Sequence, residues 1–403
     1  MLLTLAFPAG RGVDWWTQRN AASPIPGRWP YGLDALSTVA GHQESIEVEA
    51  VEVAPLGRLT RQVSLRTGRR PRSAGSTVDR VAACWDQALA PAMLNRVSAE
   101  RRFAGVIWAT DRVAAQGESP ETRLIKESLL QLDGLWVLSR PQLEAVRAWL
   151  GPRCPPVHYL TVGVDPDFYR AAPYPELSSP SNSTPTPTRT VVSICGDRDR
   201  DPETLFAALE RVLQQRPEVT CLVQTRSDRT APARVRTEAF IPHDQVRRLY
   251  AGASVVALAT GENLHRSGMT VSLEAMSVGR PVVATGTPGM EDYVTEGVTG
   301  HLVPPSDPEA MADRILALLE DPARAAEMGE NGRRSVPRST PPSPCAPSCC
   351  GSLVRQPFTD RLRARAPGGS QGTGTGWFSG CGHGWFSGCG HRAGVAGTAA
   401  ERG

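Results

Sequence analysis

Residues 267–289 read SGMTVSLEAMSVGRPVVATGTPG, and the reading of this stretch decides the rest of the chain. Ser267 and Gly268 precede a run of helical spacing that extends to about Val278, and Gly279 stands at the position where a left-handed residue closes a helix. The first N–H groups of a helix have no internal acceptor, and the helix dipole places positive potential there, so such a tip can accept a diphosphate. Gly268 lets phosphates approach the backbone, Met269 continues the row of amides, and Thr270 adds a hydroxyl donor. Glu274 lies four residues after Thr270, hence on the same face, and helical side chains lean toward the amino end. A carboxylate held there can accept both hydroxyls of a ribose. Met269, Leu273 and Met276 supply an opposing apolar stripe. A buried helix with an incidentally paired glutamate explains the same residues, and the stretch alone leaves both readings open.

The flanking segments bear on that choice. SICGDRDRDPETL (193–205) reads as a strand, a glycine turn and a helix, with Arg198 and Arg200 in the turn. The carboxyl end of a strand is where open αβ sheets bind ligands, and planar guanidinium forks suit phosphate oxygens. Because Asp197, Asp199 and Asp201 alternate with these arginines, a solvated charge run is the competing reading. TGTPGMEDY (285–293) is a strand-end loop whose Glu291 and Asp292 are available for sugar hydroxyls, or simply for a turn and cap.

Further out, short β-prone runs alternate with helical patterns to about residue 336. SIEVEAVEV (45–53), FAGVIWATD (103–111), LDGLWVLS (132–139) and PPVHYLTVGV (155–164) read as strands. VDRVAACWDQALAPAML and RPQLEAVRAWLG have helical spacing. The Pro/Ser/Thr-rich segment 171–190 reads as a linker. After it come TVVSIC, VTCLVQT, SVVALAT, RPVVAT and HLVPP as strands, with helices between them and a capping box from Ser306 to Glu309 before DPEAMADRILALLED. This alternation predicts α/β architecture with two Rossmann-like domains, 1–170 and 191–336, facing across a cleft.

From residue 337 the character changes. PRSTPPSPCAPSCCGS cannot continue a helix, and GWFSGCGH occurs twice in tandem, at 376–383 and 384–391. The segment 337–403 is expected to be an unstructured, aberrant tail. A zinc site of Cys381, His383, Cys389 and His391 is the competing reading, but a Cys-x-His pair is shorter than usual ligand spacings. The 403 residues suffice for two cores, and a formal charge of +3 does not call for nucleic acid. Lys126 is the only lysine. Cys84, Cys154, Cys195 and Cys221 are scattered as in a reduced cytoplasmic protein. The amino terminus lacks a charged region before its short apolar run, so no signal peptide is expected, and no window suits a membrane span. Peripheral membrane contact is left open. Seven of the nine tryptophans fall in the first 150 residues and are expected mainly in the core. Gly10 and Gly12 are a weak candidate for a loop beneath a transferred sugar.

The run from FIPHDQVRRLYAGA through LEAM, GRPVVAT, EGVTGHLVPP and DPEAMA resembles, in order and spacing, the donor domain of retaining GT-B glycosyltransferases of the family 4 type, over about residues 190–336. WVLSRPQLEAVRAWLG and VGVDPDFY are similar to the end of that family's first domain. The resemblance implies a nucleoside-diphosphate sugar on the second domain, a sugar or lipid-linked acceptor on the first, and no metal or other cofactor. It implies leaving-group stabilisation by Arg198 and Arg200, with Glu274 on the ribose. Donor contacts would come from Arg266, Ser267, Gly268, Met269, Thr270 and Glu291. Arg266 departs from the pattern: it stands eight residues before Glu274, where the family carries a glutamate that touches the donor sugar. The family's closing helix would follow Arg334, where the aberrant tail begins. A nucleotide-sugar epimerase or phosphorylase on the same scaffold, or a non-catalytic sugar-nucleotide-binding partner, is the alternative function. The turn at 196–201 is no G-x-G-x-x-G, which argues against NAD-linked chemistry.

Overall fold

A computed structural model describes residues 1–19, 47–54, 80–177, 189–194 and 199–336. The first lobe runs β1 (Leu2–Pro8), α1 (Val13–Arg19), β2 (Glu47–Val53), β3 (Arg80–Cys84), α2 (Ala90–Arg96), β4 (Arg101–Gly105), α3 (Ala109–Gln116), α4 (Pro120–Leu129), β5 (Gly134–Val137), α5 (Arg140–Leu150) and β6 (Val157–Tyr159). Its six strands are all parallel, in the order β2-β1-β3-β4-β5-β6. The second lobe runs β7 (Thr190–Ile194), α6 (Pro202–Gln215), β8 (Thr220–Gln224), β9 (Val235–Glu238), α7 (His243–Gly252), β10 (Val255–Leu258), α8 (Met269–Ser277), β11 (Val282–Thr285), β12 (Gly300–Val303), α9 (Pro308–Glu320) and α10 (Pro322–Ser335). Its sheet is likewise parallel, ordered β12-β11-β10-β7-β8-β9.

That second order is the doubly wound one, and its direction reverses between β7 and β10. Ligands of open parallel sheets bind in the crevice outside the strands' carboxyl ends at such a switch. The two loops leaving it carry Arg200 and the segment 259–268. In the first lobe the switch lies between β1 and β3, beside Gly10, Gly12, Trp85 and Asp86.

The inner strands are buried on both faces, as helices on each side of a parallel sheet require, whereas the edge strands β2, β6 and β9 are partly exposed. β3, β5, β10 and β11 are almost wholly enclosed. This explains one misreading. VDRVAACWDQALAPAML was expected to be helical, yet Arg80–Cys84 is β3 and only Ala90–Arg96 is α-helix. A strand enclosed on both faces has no period-two alternation, so its alanines and the helix beyond merge into one apolar pattern. The strands in FAGVIWATD and PPVHYLTVGV are also shorter than expected, ending at Gly105 and Tyr159. The capping box is corrected as well. Asp307, not Ser306, caps α9 through Ala310 N, and Ser306 occupies the left-handed region at φ 56°.

Asp321 ends α9 and caps α10, a helix the sequence pattern did not indicate. Two glycines weaken its propensity but let it pack closely. A Cβ on Gly329 would lie 2.2 Å from the carbonyl oxygen of Gly279, and one on Gly332 would lie 3.0 Å from the Met276 side chain. The start of the expected linker is tied down: Tyr174 Oη donates to Ser254 O at 2.9 Å. Residues 178–188, the tail 337–403 and the alternative zinc ligands lie outside the described residues. Among the described tryptophans, Trp16, Trp108 and Trp136 are buried, and Trp15, Trp85 and Trp149 are half-buried. One apolar cluster runs from β1 and β3 of the first lobe to Met269, Leu273 and Met276 of α8.

Candidate active site

The switch point of the second lobe brings Arg200 and residues 267–270 together at the amino end of α8. Arg200 follows β7 and makes an isolated bridge with Thr260, which follows β10. The two loops are thereby held edge to edge. Gly268 is the N-cap of α8 at φ 94°, a conformation that side-chain-bearing residues adopt only at a cost. A Cβ there would stand 2.7 Å from Arg200 Nη1, so the guanidinium lies directly over this glycine. A fixed cation and the positive end of a helix thus share one small volume, which is the electrostatic requirement of a diphosphate site. Arg198 lies outside the described residues.

The tip itself is partly spoken for. Asn263 Oδ1 accepts from Ser267 N at 2.9 Å, and Arg266 O accepts from Met269 N at 3.1 Å. The amide of Met269, expected to face phosphate, serves the turn instead. Gly268 and Thr270 are the positions left at which a ligand would meet the first turn. Residues 265–269 are buried and Thr270 is half-buried. Nor does α8 carry a one-sided apolar stripe. It is buried on every face, Met269 through Ser277 apart from Thr270, because β11, α10 and the first lobe surround it.

Glu274 is fully buried, one turn beyond Thr270. Tyr250 of α7 donates its hydroxyl to Glu274 Oε2 at 3.0 Å. Burying a carboxylate requires such a donor, and this one fixes the rotamer of the side chain. Glu291 is exposed on a short 3-10 turn, and its neighbour Asp292 makes the contacts.

Arg266 stands at φ 58° with its side chain wholly enclosed. It pairs with Asp292 and donates to Tyr159 Oη at 3.1 Å. Its guanidinium lies 5.2 Å from the ring centre of Tyr159 and 4.7 Å from that of Tyr293. Burial raises the phenols of Tyr159 and Tyr293 above their ordinary range, against the pull of Arg266. Sequence reasoning placed Arg266 on the donor; the structure places it between the lobes.

Sequence reasoning passed over two residues. His265 bridges carboxylates of both lobes, with Nδ1 2.7 Å from Asp111 Oδ2 and Nε2 3.3 Å from Asp199 Oδ2. Burial opposes its charge, but the hydrogen bonds to Asp111 and Asp199 prevail and raise its pKa to about 9. Arg280 of the GRPVVAT run is buried behind α8. It donates to the carbonyls of Tyr250, Ala251, Ala172, Pro173 and Gly279. Burial lowers it to about 10, with Tyr174 and Glu176 opposing. Its carbonyl partners at the end of α7 favour a cation there. No single-sequence signal separated this brace from a substrate arginine.

In the first lobe, the Gly10 and Gly12 amides donate to the Glu52 carboxylate at 2.7 and 2.9 Å. The loop expected beneath a transferred sugar is filled by the chain's own anion. Among the described residues no group of His, Cys, Asp and Glu is placed to hold a metal ion, and no helix is long and apolar enough to cross a membrane.

Two parallel, doubly wound lobes that meet at the ends of their strands define the GT-B class of fold. Within it, residues 190–335 match the family Glycosyl transferases group 1. A D-inositol 3-phosphate glycosyltransferase of Catenulispora acidiphila is 35% identical over 103 residues, 26% of this chain and 24% of the relative. A GDP-mannose-dependent monoacylated alpha-(1-6)-phosphatidylinositol monomannoside mannosyltransferase of Corynebacterium glutamicum is 26% identical over 271 residues, 62% of this chain and 71% of the relative. The chain thus spans only 24% and 20% of the length of the first two curated relatives it matches. Among solved structures, the sucrose-phosphate synthase of Thermosynechococcus elongatus superposes with a TM-score of 0.55 at 18% identity, covering 83% of this chain and 94% of the other. Anabaena HepE in complex with UDP-glucose superposes with a TM-score of 0.54 at 17% identity and the same coverage. These likenesses bear on the fold.

Proposed function

We propose that the chain is a glycosyltransferase that moves a sugar from a nucleoside-diphosphate sugar to a sugar or lipid-linked hydroxyl with retention at the anomeric carbon. The observation that carries this reading is the guanidinium of Arg200 lying over Gly268 at the amino end of α8, with Glu274 fixed one turn deeper. In the reaction, the bond from the anomeric carbon to the diphosphate oxygen breaks. The acceptor oxygen takes its place, and nucleoside diphosphate and a proton are released. Arg200 and the first-turn amides stabilise the charge that develops on the leaving diphosphate, a preorganised arrangement that needs no reorientation during the step. Glu274, held by Tyr250, accepts the ribose hydroxyls and fixes the nucleotide relative to Arg200. On this reading the charge of the departing group is met by the chain's own donors rather than by a metal. The match of residues 190–335 to group 1 glycosyl transferases and the GDP-mannose-dependent relative support a nucleotide-sugar donor. We place the protein in the cytoplasm, where such donors are found.

A second reading is a non-catalytic sugar-nucleotide-binding partner. It is favoured by Arg266, which stands where the resemblance expects a sugar-contacting carboxylate and is consumed by Asp292 and Tyr159. One pair of measurements separates the two. A thermal-shift screen of nucleoside diphosphates and their sugars identifies the base, since a ligand at 100 times its Kd stabilises by about 2.7 kcal/mol. Turnover of the retained nucleotide sugar is then compared between the chain and Glu274→Ala. Donor hydrolysis or transfer that depends on Glu274 supports the enzyme; binding with no turnover supports the partner; the absence of any nucleotide shift rejects both.

A further inference from the structure

Three consecutive residues of the loop entering α8 are bonded to the first lobe. Leu264 N donates to Asp111 Oδ1 at 2.8 Å, and Leu264 O accepts from Ser139 Oγ at 2.5 Å. His265 meets the other oxygen of Asp111. Arg266 meets Tyr159, which also donates to Asp292 Oδ2 at 3.1 Å. Alongside them Tyr293 Oη accepts from Val162 N at 2.9 Å. Within its own lobe the loop is a closed turn: Asn263 takes Ser267 N and gives to Gly261 O. A shift at residue 264 is therefore passed as a unit to Gly268.

Two features show that this loop is under constraint. Arg266 is held in the left-handed region, which a side-chain-bearing residue leaves when nothing compensates its cost. Residues 265–269 are also buried in this arrangement, with the Arg200 guanidinium over Gly268, so the amino end of α8 is covered while the contacts at 264–266 are made. We infer that Leu264, His265 and Arg266 form an inter-lobe clasp whose release admits nucleotide to the amino end of α8 and whose closure fixes Gly268 against Arg200. These are positioning residues, acting on the ligand through the turn. The inference rests on the proposed nucleotide site only for the identity of what is admitted.

The test uses the full chain and the variants Tyr159→Phe and Asp111→Asn, singly and together. Tyr159→Phe keeps the ring beside Arg266 and removes only the hydroxyl. Circular-dichroism melting confirms folding, with Ser139→Ala as a milder substitute where the double variant melts early. Small-angle scattering without nucleotide should show the radius of gyration rising by on the order of 1 Å in the double variant, from the ~20 Å expected of a compact chain of this size. Stopped-flow binding of UDP or GDP, whichever the thermal screen retains, should show association several-fold faster once the gate is loosened. An unchanged radius together with an unchanged association rate overturns the clasp. An increased radius with an unchanged rate shows entry by another route and overturns the gating role. Should neither chain bind any nucleotide, the proposed function falls, and scattering alone decides whether the lobes are clasped.

Discussion

The two switch points of the molecule are built alike and finished differently. In the second lobe the loops leaving β7 and β10 bring a cation, Arg200, against the amino end of α8. In the first, the amides of Gly10 and Gly12 are already occupied by the carboxylate of Glu52. In one crevice a guanidinium and a helix tip are brought together; in the other the amides are met by a carboxylate of the chain itself. The sheet topology supplies two equivalent places for a ligand, and they differ in what the chain itself has already placed there.

The largest effect is expected from the brace behind the second site. Arg280→Met leaves five carbonyls, most of them only partly buried, without the donor they share, and an unsatisfied buried acceptor costs about 1–3 kcal/mol. A loss of roughly 3 kcal/mol or more in denaturant-measured stability should result. If the second site depends on this brace and the first does not, amide exchange should rise in α7 and α8 and stay level in β1 and β3. A uniform rise would show that the lobes unfold as one unit.

Arg280 also shows what could be read from the chain beforehand. Strands β7, β8, β10 and β11 and helices α6 and α7 were legible because short β-branched runs and amphipathic spacing alternate cleanly there, and α8 was legible from the glycines at its two ends. The left-handed placement of Gly268 and Gly279 could be read too, since helix-end chemistry is local in sequence. β3 and α10 were not. β3 is buried on both faces and lacks alternation, and α10 depends on Gly329 and Gly332, which lower helix propensity and matter only because Gly279 and Met276 lie opposite. The fates of Arg266, Arg280 and His265 were illegible for a related reason. An arginine in a motif has the same letter whether it meets phosphate, a row of carbonyls or a tyrosine of the other lobe, and contacts separated by 107 or 154 residues leave no trace in spacing.

Arg200→Ala is the next test. Removing a preorganised charge from the leaving group should lower turnover about 10²–10³-fold, with the melting temperature little changed because Arg200 is half-buried at a loop end. An equal fall on replacing an exposed arginine such as Arg229 would show that net charge, not the Gly268 contact, is what matters.

The junction between the two sites should respond to pH through His265. Its pKa is raised from 6.5 to about 9 by Asp111 and Asp199. The sign is that of a group that prefers to be protonated in the folded state. The stabilisation is complete below pH 6.5 and disappears as pH climbs through about 9. At most about 3 kcal/mol is at stake. Denaturation at pH 6 and pH 9.5 should show this loss in the parent chain and a much smaller one in His265→Gln. An equal loss in both would place the titration elsewhere.

The smallest effect is the one most specific to the contrast between the lobes. Glu52→Gln keeps the shape of the side chain and one acceptor oxygen for the Gly10 and Gly12 amides while removing the charge. The contact is close to solvent, so a stability change of about 1 kcal/mol or less is expected. The informative readout is anion binding. With the internal carboxylate neutralised and one of its two acceptor oxygens replaced, the β1 loop would turn an amide and an uncompensated local potential toward solvent phosphate. Phosphate should then protect the Glu52→Gln chain against thermal unfolding more than it protects the parent, and the added protection should persist when Arg200→Ala is combined with it. If phosphate protects both chains equally, Glu52 is not what silences the first switch point, and the asymmetry must come from the cation in the second lobe alone.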